Sequence, residues 1–131
     1  MKQKTQILGN HGETIIANYL QKAGYTILAR NYRTSHGEID IIAQRGDTIS
    51  FVEVKTRKTI FFDISQVITP IKQKKMILVA KSFISQHQLL AEQQFHNFVL
   101  QFDIAILEHN QENSQKNSDI TYISNAFYGI E

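Results

Sequence analysis

The sequence predicts an α/β fold in which a central mixed β-sheet is flanked by helices. Hydrophobic residues make up 42% and aromatic residues 10% of the 131-residue chain, ordinary values for one globular domain over residues 1–131. The periodicity along the chain changes in the order helix, three strands, helix, two strands. A strand–helix–strand crossover over residues 48–107 favours at least one parallel strand pair.

The first helix is predicted from apolar residues at helical spacing within residues 15–20, and it is expected to end with Gly24 as its C′ residue. Its start has two alternatives. Residues 10–13, Asn-His-Gly-Glu, are a candidate capping box, or the helix begins near Thr5 and runs through two glycines. Spacing alone favours the cap, which makes Glu13 an ordinary acid of the first turn.

Three strands are predicted next, because residues 25–33, 38–44 and 48–55 are rich in β-branched and aromatic residues and are bounded by turn signals. Gly46-Asp47 suits the centre of a tight type II′ hairpin between the second and third strands. Such a hairpin pairs residue 45 with 48 and, further along the ladder, 40 with 53 and 38 with 55.

The second half of the chain is predicted to contain a helix and two strands. Residues 56–69 indicate a loop, and Pro70 lies where a helical pattern begins that continues to Ile84. Residues 98–107 and 119–124 predict strands. The residues between those two strands, 109–118, are rich in Asn, Gln and Ser and indicate a polar connection.

The predicted hairpin brings four charged side chains to one face, because cross-strand partners share a face: Glu38, Asp40, Glu53 and Lys55. Charged residues are uncommon within strands and costly when buried unpaired. Two facing carboxylates repel, which raises a pKa unless a cation lies between them. Oxygen ligands without thiolates suit Mg²⁺ or Mn²⁺, and Lys55 would reach the same pocket.

Cross-strand salt bridges on a solvated sheet edge, Glu38 with Lys55 and Glu53 with Arg57, are the alternative for these residues. The apolar residues that flank the acids indicate central strands instead, which weakens this alternative. The residues alone leave both interpretations open.

The net charge of +2 conceals an asymmetry along the chain. Residues 1–81 contain 13 Lys and Arg against 6 Asp and Glu, whereas residues 82–131 contain 1 and 6. A basic portion is what a polyanion-binding protein needs. The alternative is that the charges scatter over the folded surface, so charge alone leaves nucleic-acid binding open.

Two further features limit the class of protein. The absence of Cys excludes disulfides, thiol nucleophiles and Cys-rich zinc sites, and is compatible with the reducing cytoplasm, where we expect the protein. No apolar run approaches the roughly 18 residues of a membrane span. Residues 1–20 also lack the apolar core of a signal peptide, so no membrane partner is expected.

The acidic residues are arranged as in a known group of nucleases. An Asp followed a dozen residues later by Glu-x-Lys, after a helix with a Glu, resembles the PD-(D/E)xK nuclease superfamily. More closely, the chain resembles the bacterial YraN family of uncharacterised predicted endonucleases, which is related to Holliday-junction resolvases. The matching segments span most of the chain: Gly12-Glu13-x-x-x-Ala17-x-Tyr19-Leu20, Gly24-Tyr25-x-Ile27-Leu28-x-Arg30-Asn31-x-Arg33, Gly37-Glu38-Ile39-Asp40-Ile41-Ile42-Ala43 and Phe51-Val52-Glu53-Val54-Lys55-Thr56-Arg57, with weaker matches at Lys72-Gln73, Phe102-Asp103 and Asn125-Ala126-Phe127.

This resemblance implies a restriction-endonuclease-like core and a metal-dependent endonuclease that acts on DNA, including branched or junction DNA. It implies that Asp40 and Glu53 hold one or two Mg²⁺ or Mn²⁺ ions and that Glu13 is a further ligand, which favours a site residue over a cap. Lys55 would position or activate the attacking water. A homodimer is expected by analogy with the resolvases, which act as dimers on two-fold substrates.

Seven cations are candidates for contacts with DNA phosphates, and the alternative for each of them is a solvated surface residue. At the level of function, the alternative is a non-catalytic nucleic-acid-binding module on a nuclease fold. A scaffold that binds a partner through the acidic C-terminal portion is a third hypothesis. The seven cations are Arg30, Arg33, Arg57, Lys58, Lys72, Lys74 and Lys75.

Two positions depart from the family's pattern. Gln101 stands where the family commonly has Arg before Phe-Asp, and residues 61–63 read Phe-Phe-Asp where an aromatic–Gly pair is usual. Both positions lie outside the metal motif. They bear on the substrate-contacting surface and not on the predicted fold.

Overall fold

The described part of the chain forms a five-stranded mixed β-sheet with one helix on each face, in the predicted order. The computed structural model describes residues 2–57, 67–87, 98–108 and 119–127. This α/β arrangement is consistent with the nuclease-like core that the resemblance implies. The elements are α1 (Lys2–Lys22), β1 (Thr26–Thr34), β2 (Gly37–Arg45), β3 (Thr48–Arg57), α2 (Pro70–Gln86), β4 (Val99–Glu108) and β5 (Asp119–Phe127).

The strands lie in the order β1-β2-β3-β4-β5, so β3 is the centre of the sheet. β3 and β4 are parallel, which confirms the crossover predicted through α2, and the other neighbouring pairs are antiparallel. The charged hairpin therefore belongs to the middle of the sheet and not to a solvated edge. A charge at this position is costly to bury unless it is paired or serves a site.

The alternation of side chains along the central strands produces two cores. Phe51 of β3 and Phe102 of β4 pack on the side of α2, where Phe51 meets the ring of Phe83 edge-on at 6.2 Å between centroids. Val52 and Ala105 point to the other face, in the core that α1 covers. The sheet is thus buried on both sides, as its apolar central strands predict.

Helix α1 corrects the favoured interpretation of its start. It runs over Lys2–Lys22 through both glycines, so Glu13 lies in the helix interior and the predicted capping box is wrong. Gly12 permits the close approach of α1 to β3, because a Cβ at this position would lie 2.5 Å from the Thr56 hydroxyl oxygen. The approach places Glu13 near the acids of the sheet.

The end of α1 is as predicted. Gly24 has φ 94°, its N–H donates to the Gln21 carbonyl at 3.0 Å, and the Tyr25 N–H donates to the Leu20 carbonyl at 2.9 Å. These two bonds form a Schellman motif with Gly24 at C′. Tyr25 and Leu20 also share the α1 core, which fixes the direction in which the chain enters β1.

The hairpin between β2 and β3 has the predicted register only in part. Arg45 pairs with Thr48 across Gly46, whose φ is 59°, and the ladder continues to Ile41 and Val52. It ends there, so the expected pairs 40 with 53 and 38 with 55 are not part of the ladder. Instead, Asp40 Oδ2 accepts the Val54 N–H at 2.8 Å. The strands separate because a carboxylate takes the place of the backbone partner.

Helix α2 begins where Pro70 predicts. Thr69 is the N-cap, and its hydroxyl oxygen accepts the Lys72 N–H at 3.2 Å, while Pro70 occupies the first helical position. Residues 56 and 57 belong to β3 and not to the predicted loop, of which 58–66 lie outside the described residues.

The last two strands extend beyond their predicted ends, β4 to Glu108 and β5 to Phe127. The predicted polar connection, 109–118, lies outside the described residues. Over the part of the chain that the structure describes, neither helix has the length and apolar character needed to cross a membrane.

Candidate functional site

An open cleft of about 240 Å³ lies where β2 and β3 separate, against the first turns of α2. Gly37 forms part of its wall and has φ 145°, a backbone conformation that other residues rarely adopt. The cleft therefore combines acids of the sheet with lysines of the helix. Its lining residues are Gly37, Glu38, Asp40, Glu53, Lys72, Lys75 and Met76.

Asp40 is the most perturbed carboxyl group of this cleft. Burial is the largest cause that raises its pKa to about 7, and the carboxylate of Glu53, followed by those of Glu13 and Glu38, contributes to the same shift. The hydrogen bond from the Val54 N–H acts in the opposite direction. An ionised Asp40 therefore lacks sufficient positive charge around it, and a cation between Asp40 and Glu53 would supply that charge.

Glu53 lies on the central strand and is only 6% exposed. Its Oε1 accepts a charge-assisted hydrogen bond from the Nζ of Lys72, which reaches into the cleft from the first turn of α2. The sequence suggested Lys72 as a phosphate contact. The structure places its ammonium group on a buried carboxylate inside the candidate site.

Lys55 is half-buried two residues beyond Glu53 on the same face of β3. Burial lowers the pKa of its ammonium group, and Lys72 and Arg57 lower it further. The carboxylates of Glu53 and Asp40 raise the same pKa. The side chain thus lies within electrostatic reach of both acids, but it is not among the residues that line the cleft, which the sequence predicts it to reach.

Glu13 reaches the same region from α1. It is 6% exposed, burial raises its pKa, and the guanidinium group of Arg30 lowers it. Arg30 Nε lies 3.5 Å from Glu13 Oε1, and its Nη2 donates to the Thr14 hydroxyl at 3.0 Å. Glu13 acts electrostatically on Asp40 but is not among the residues that line the cleft.

The acids form a pair and not a larger cluster. Across the described ranges, no three Asp, Glu or His side chains are gathered closely enough to hold a metal ion. Asp40 and Glu53 line the cleft together with Glu38, and the carboxylate of Glu53 raises the pKa of Asp40. One or two carboxylates completed by water is a usual arrangement for Mg²⁺.

The other candidate cations are distributed around this site. Arg33 Nη2 donates to Glu38 Oε2 at 2.9 Å in an exposed ion pair between β1 and β2. Glu38 therefore pairs with Arg33 and not with Lys55, its partner in the salt-bridge alternative. Lys74 and Lys75 are exposed on α2, and Lys75 borders the cleft. Arg57 is half-buried near Lys55, while Lys58 lies outside the described residues.

A second buried polar cluster surrounds Asp103 on β4 and was not predicted from the sequence. Its Oδ2 accepts hydrogen bonds from the Tyr122 hydroxyl and from the Gln101 amide, and its Oδ1 accepts the Asn125 N–H at 3.0 Å. Burial raises the pKa of the Tyr122 hydroxyl, and the nearby carboxylate of Asp103 is the second cause of this shift. Gln101 also donates to Ser50 at 3.3 Å.

The Asp103 cluster gives Gln101 an internal structural role at the position where the family commonly has Arg. It also ties β5 to β4 where the register between the two strands shifts. One signal in the sequence could have revealed it, because Asp103 is a lone acid within the apolar residues 102–107.

The family model that matches this chain and the relatives described below all carry the same family name. The model of the "Uncharacterised protein family UPF0102" matches residues 12–120. A UPF0102 protein of Caldicellulosiruptor saccharolyticus is 42% identical over 121 residues, which cover 92% of this chain and 96% of the relative. A UPF0102 protein of Treponema pallidum (strain Nichols) is 37% identical over 128 residues, 97% of each chain. One of Clostridium perfringens (strain 13 / Type A) is 33% identical over 97% of this chain and 98% of its own.

Proposed function

The chain belongs to the uncharacterised protein family UPF0102, which is the YraN family, and we propose that it is a metal-dependent endonuclease that hydrolyses phosphodiester bonds of DNA. The observation that carries this proposal is the buried acid pair of Asp40 and Glu53 on separated central strands, with Lys55 beside it. Such a group of charges destabilises a sheet, and a catalytic role accounts for its presence there.

The donor set fits Mg²⁺ or Mn²⁺. Asp40 and Glu53 offer hard oxygen atoms at an open cleft, and burial and mutual repulsion raise the pKa of Asp40 to about 7, a cost that a divalent cation would offset. When bound, the cation supplies Lewis-acid polarisation of a phosphate and stabilises the charge that develops on it. Glu13 adds to the negative charge around Asp40 from α1, which increases the charge that a cation would neutralise.

Lys55 is the residue that we assign to the attacking water. A lowered pKa brings its amine closer to the range in which it can accept a proton at Nζ, and its charge interacts with the charges of both acids. Lys75 and Lys74 on α2 extend positive charge from the cleft along the helix, where a DNA backbone would lie. The resolvase-like resemblance favours branched DNA and a homodimer.

A cleavage assay tests the proposal with branched, flapped, single-stranded and duplex DNA in Mg²⁺ or Mn²⁺. We expect the wild-type protein to cut at least one of these, and Lys55→Ala and Asp40→Asn to cut at least about a hundredfold more slowly. Lys22→Ala, a change of equal charge on the exposed end of α1, is the matched control. Cleavage that survives in both site variants would come from a contaminant and would contradict the proposal.

A non-catalytic nucleic-acid-binding module is the second candidate function. The ion pair between Lys72 and Glu53 favours it, because one acid of the pair already has a protein partner. This alternative predicts that the wild-type protein binds the same DNA panel without cutting it in either metal. Asp40→Asn would then leave DNA affinity unchanged in the presence of Mg²⁺.

A further inference from the structure

We propose that Lys72 and the divalent cation compete for the carboxylate of Glu53, so that Lys72 sets the metal affinity of the site; this inference rests on the proposed function. The carboxylate is buried on the central strand, and the Nζ of Lys72 lies on its Oε1. A cation and an ammonium group cannot occupy the same side of one oxygen, because their charges repel at such short range.

The position of Lys72 lets it leave Glu53 without unfolding the helix. Its backbone is fixed by the Thr69 cap in the first turn of α2, whereas its side chain is 33% exposed and borders the open cleft. A lysine side chain carries its charge on a flexible four-carbon stem. The ammonium group can therefore move to the mouth of the cleft while α2 stays in place.

The released ammonium group would remain close to a phosphate in the cleft. Lys75 borders the same cleft one turn further along α2, so the two lysines would then offer donors on one wall. Metal binding and phosphate binding are thereby coupled, because the cation frees a donor that Glu53 otherwise holds. Such coupling acts equally in both directions.

The helix contains its own control. Lys74 carries the same charge two residues away, is exposed and does not border the cleft. Removing either charge changes the net charge of the protein equally, but only Lys72 contacts an acid of the site. A difference between the two variants therefore reports the local contact and not the overall field.

The experiment is a calorimetric titration of Mn²⁺ and of Mg²⁺ into the full chain at pH 8, with wild-type protein, Lys72→Gln and Lys74→Gln. The glutamine amide can still donate a hydrogen bond to Glu53, which protects the fold, and thermal unfolding checks it. We expect the dissociation constant of Lys72→Gln to fall about tenfold and that of Lys74→Gln to stay within about twofold of wild type.

Lys72→Arg gives a test in the opposite direction, and it keeps the inference testable if the Gln variant folds poorly. An arginine binds a carboxylate through two parallel hydrogen bonds, so it should hold Glu53 more firmly and weaken metal binding about threefold or more. Equal metal affinity in Lys72→Gln and Lys74→Gln, or tighter binding in Lys72→Arg, would overturn the competition. Absence of metal binding in wild type and all variants would overturn the proposed metal site as well.

Discussion

At the candidate site, the negative charges of buried carboxyl groups are opposed by the positive charges of nearby lysines. Asp40 and Glu53 are the buried acids of the cleft, Lys72 pairs with Glu53, and Lys55 interacts electrostatically with both acids. The same burial that raises the pKa of Asp40 costs the protein stability when this carboxyl group ionises.

Asp40→Asn should stabilise the metal-free protein above neutral pH. Because the pKa of Asp40 is about 7 in the folded state and 3.8 ordinarily, the folded state holds a proton that the unfolded chain has lost between about pH 4 and 7. The free energy of unfolding therefore falls as the pH rises through this window. Asn cannot ionise, yet its amide oxygen can still accept the Val54 N–H. We expect a gain of up to about 4 kcal/mol at pH 8, because each unit of pKa difference corresponds to about 1.4 kcal/mol.

Urea unfolding with a chelator at pH 5 and pH 8 measures this effect. Asp47→Asn, an exposed change in the β2–β3 turn, is the control and should leave the stability within about 0.5 kcal/mol at both pH values. An Asp40→Asn variant that is less stable than wild type at pH 8 would show that Asp40 is not destabilised by its surroundings.

The acids of the hairpin could be predicted from the sequence because they follow from local spacing. The turn at Gly46 sets the register, and alternation then brings Asp40 and Glu53 to one place. The partners of Glu13 and Glu53 could not be predicted in this way. Arg30 and Lys72 reach these acids from other elements, and such contacts depend on how helices pack on the sheet.

At the scale of elements, the site depends on where two helices begin, end and approach the sheet. Gly12 lets α1 lie against β3, and Thr69 fixes the first turn of α2 beside the cleft. Of the two alternatives for the start of α1, the one that runs through both glycines is correct, although glycine is unfavourable within helices in general. Here the loss of helix propensity at Gly12 is offset by tertiary packing that needs the absence of a Cβ.

Thr69→Ala should lower the free energy of unfolding, because it removes the cap of the α2 turn that carries Lys72. The Thr69 hydroxyl accepts the Lys72 N–H, and removal of such a cap costs about 1 kcal/mol of unfolding free energy. Thr69→Ser keeps the oxygen and should stay close to wild type. Chemical denaturation of the three proteins measures the difference. Equal stability of the Ala and Ser variants would mean that this cap does not hold the first turn.

For the whole molecule, the order of elements and the parallel crossover were predictable because helical and strand periods alternate clearly along the chain. The extra length of β5 was not. Its end depends on the buried Asp103, which accepts the Asn125 N–H and keeps residues beyond 124 beside β4. Only the folded sheet brings these two residues together.

The charge of the whole molecule is more biased than the net value of +2 suggests. Four of the six acids in residues 1–81 belong to the candidate site, Glu13, Glu38, Asp40 and Glu53, which leaves Asp47 and Asp63 against 13 cations. Three of these cations, Arg30, Arg33 and Lys72, pair with acids of the site, so ten remain against Asp47 and Asp63, and this part of the chain is still basic in sum.

DNA affinity should fall linearly with the logarithm of salt concentration, because bound phosphates release counterions. Lys75→Ala should reduce that slope by about 1, since Lys75 borders the cleft, whereas Lys22→Ala at the end of α1 should not change it. Fluorescence anisotropy with a labelled oligonucleotide at several salt concentrations gives the slopes. Affinity that is independent of salt would exclude binding through this basic surface.

The central claim is that Asp40 and Glu53 together hold a divalent cation, and isothermal titration of Mg²⁺ and Mn²⁺ tests it most directly. We expect heat of binding for the wild-type protein and its loss in both Asp40→Ala and Glu53→Ala, with thermal unfolding to verify that each variant is folded. Equal heats in the wild-type protein and the two variants would contradict it.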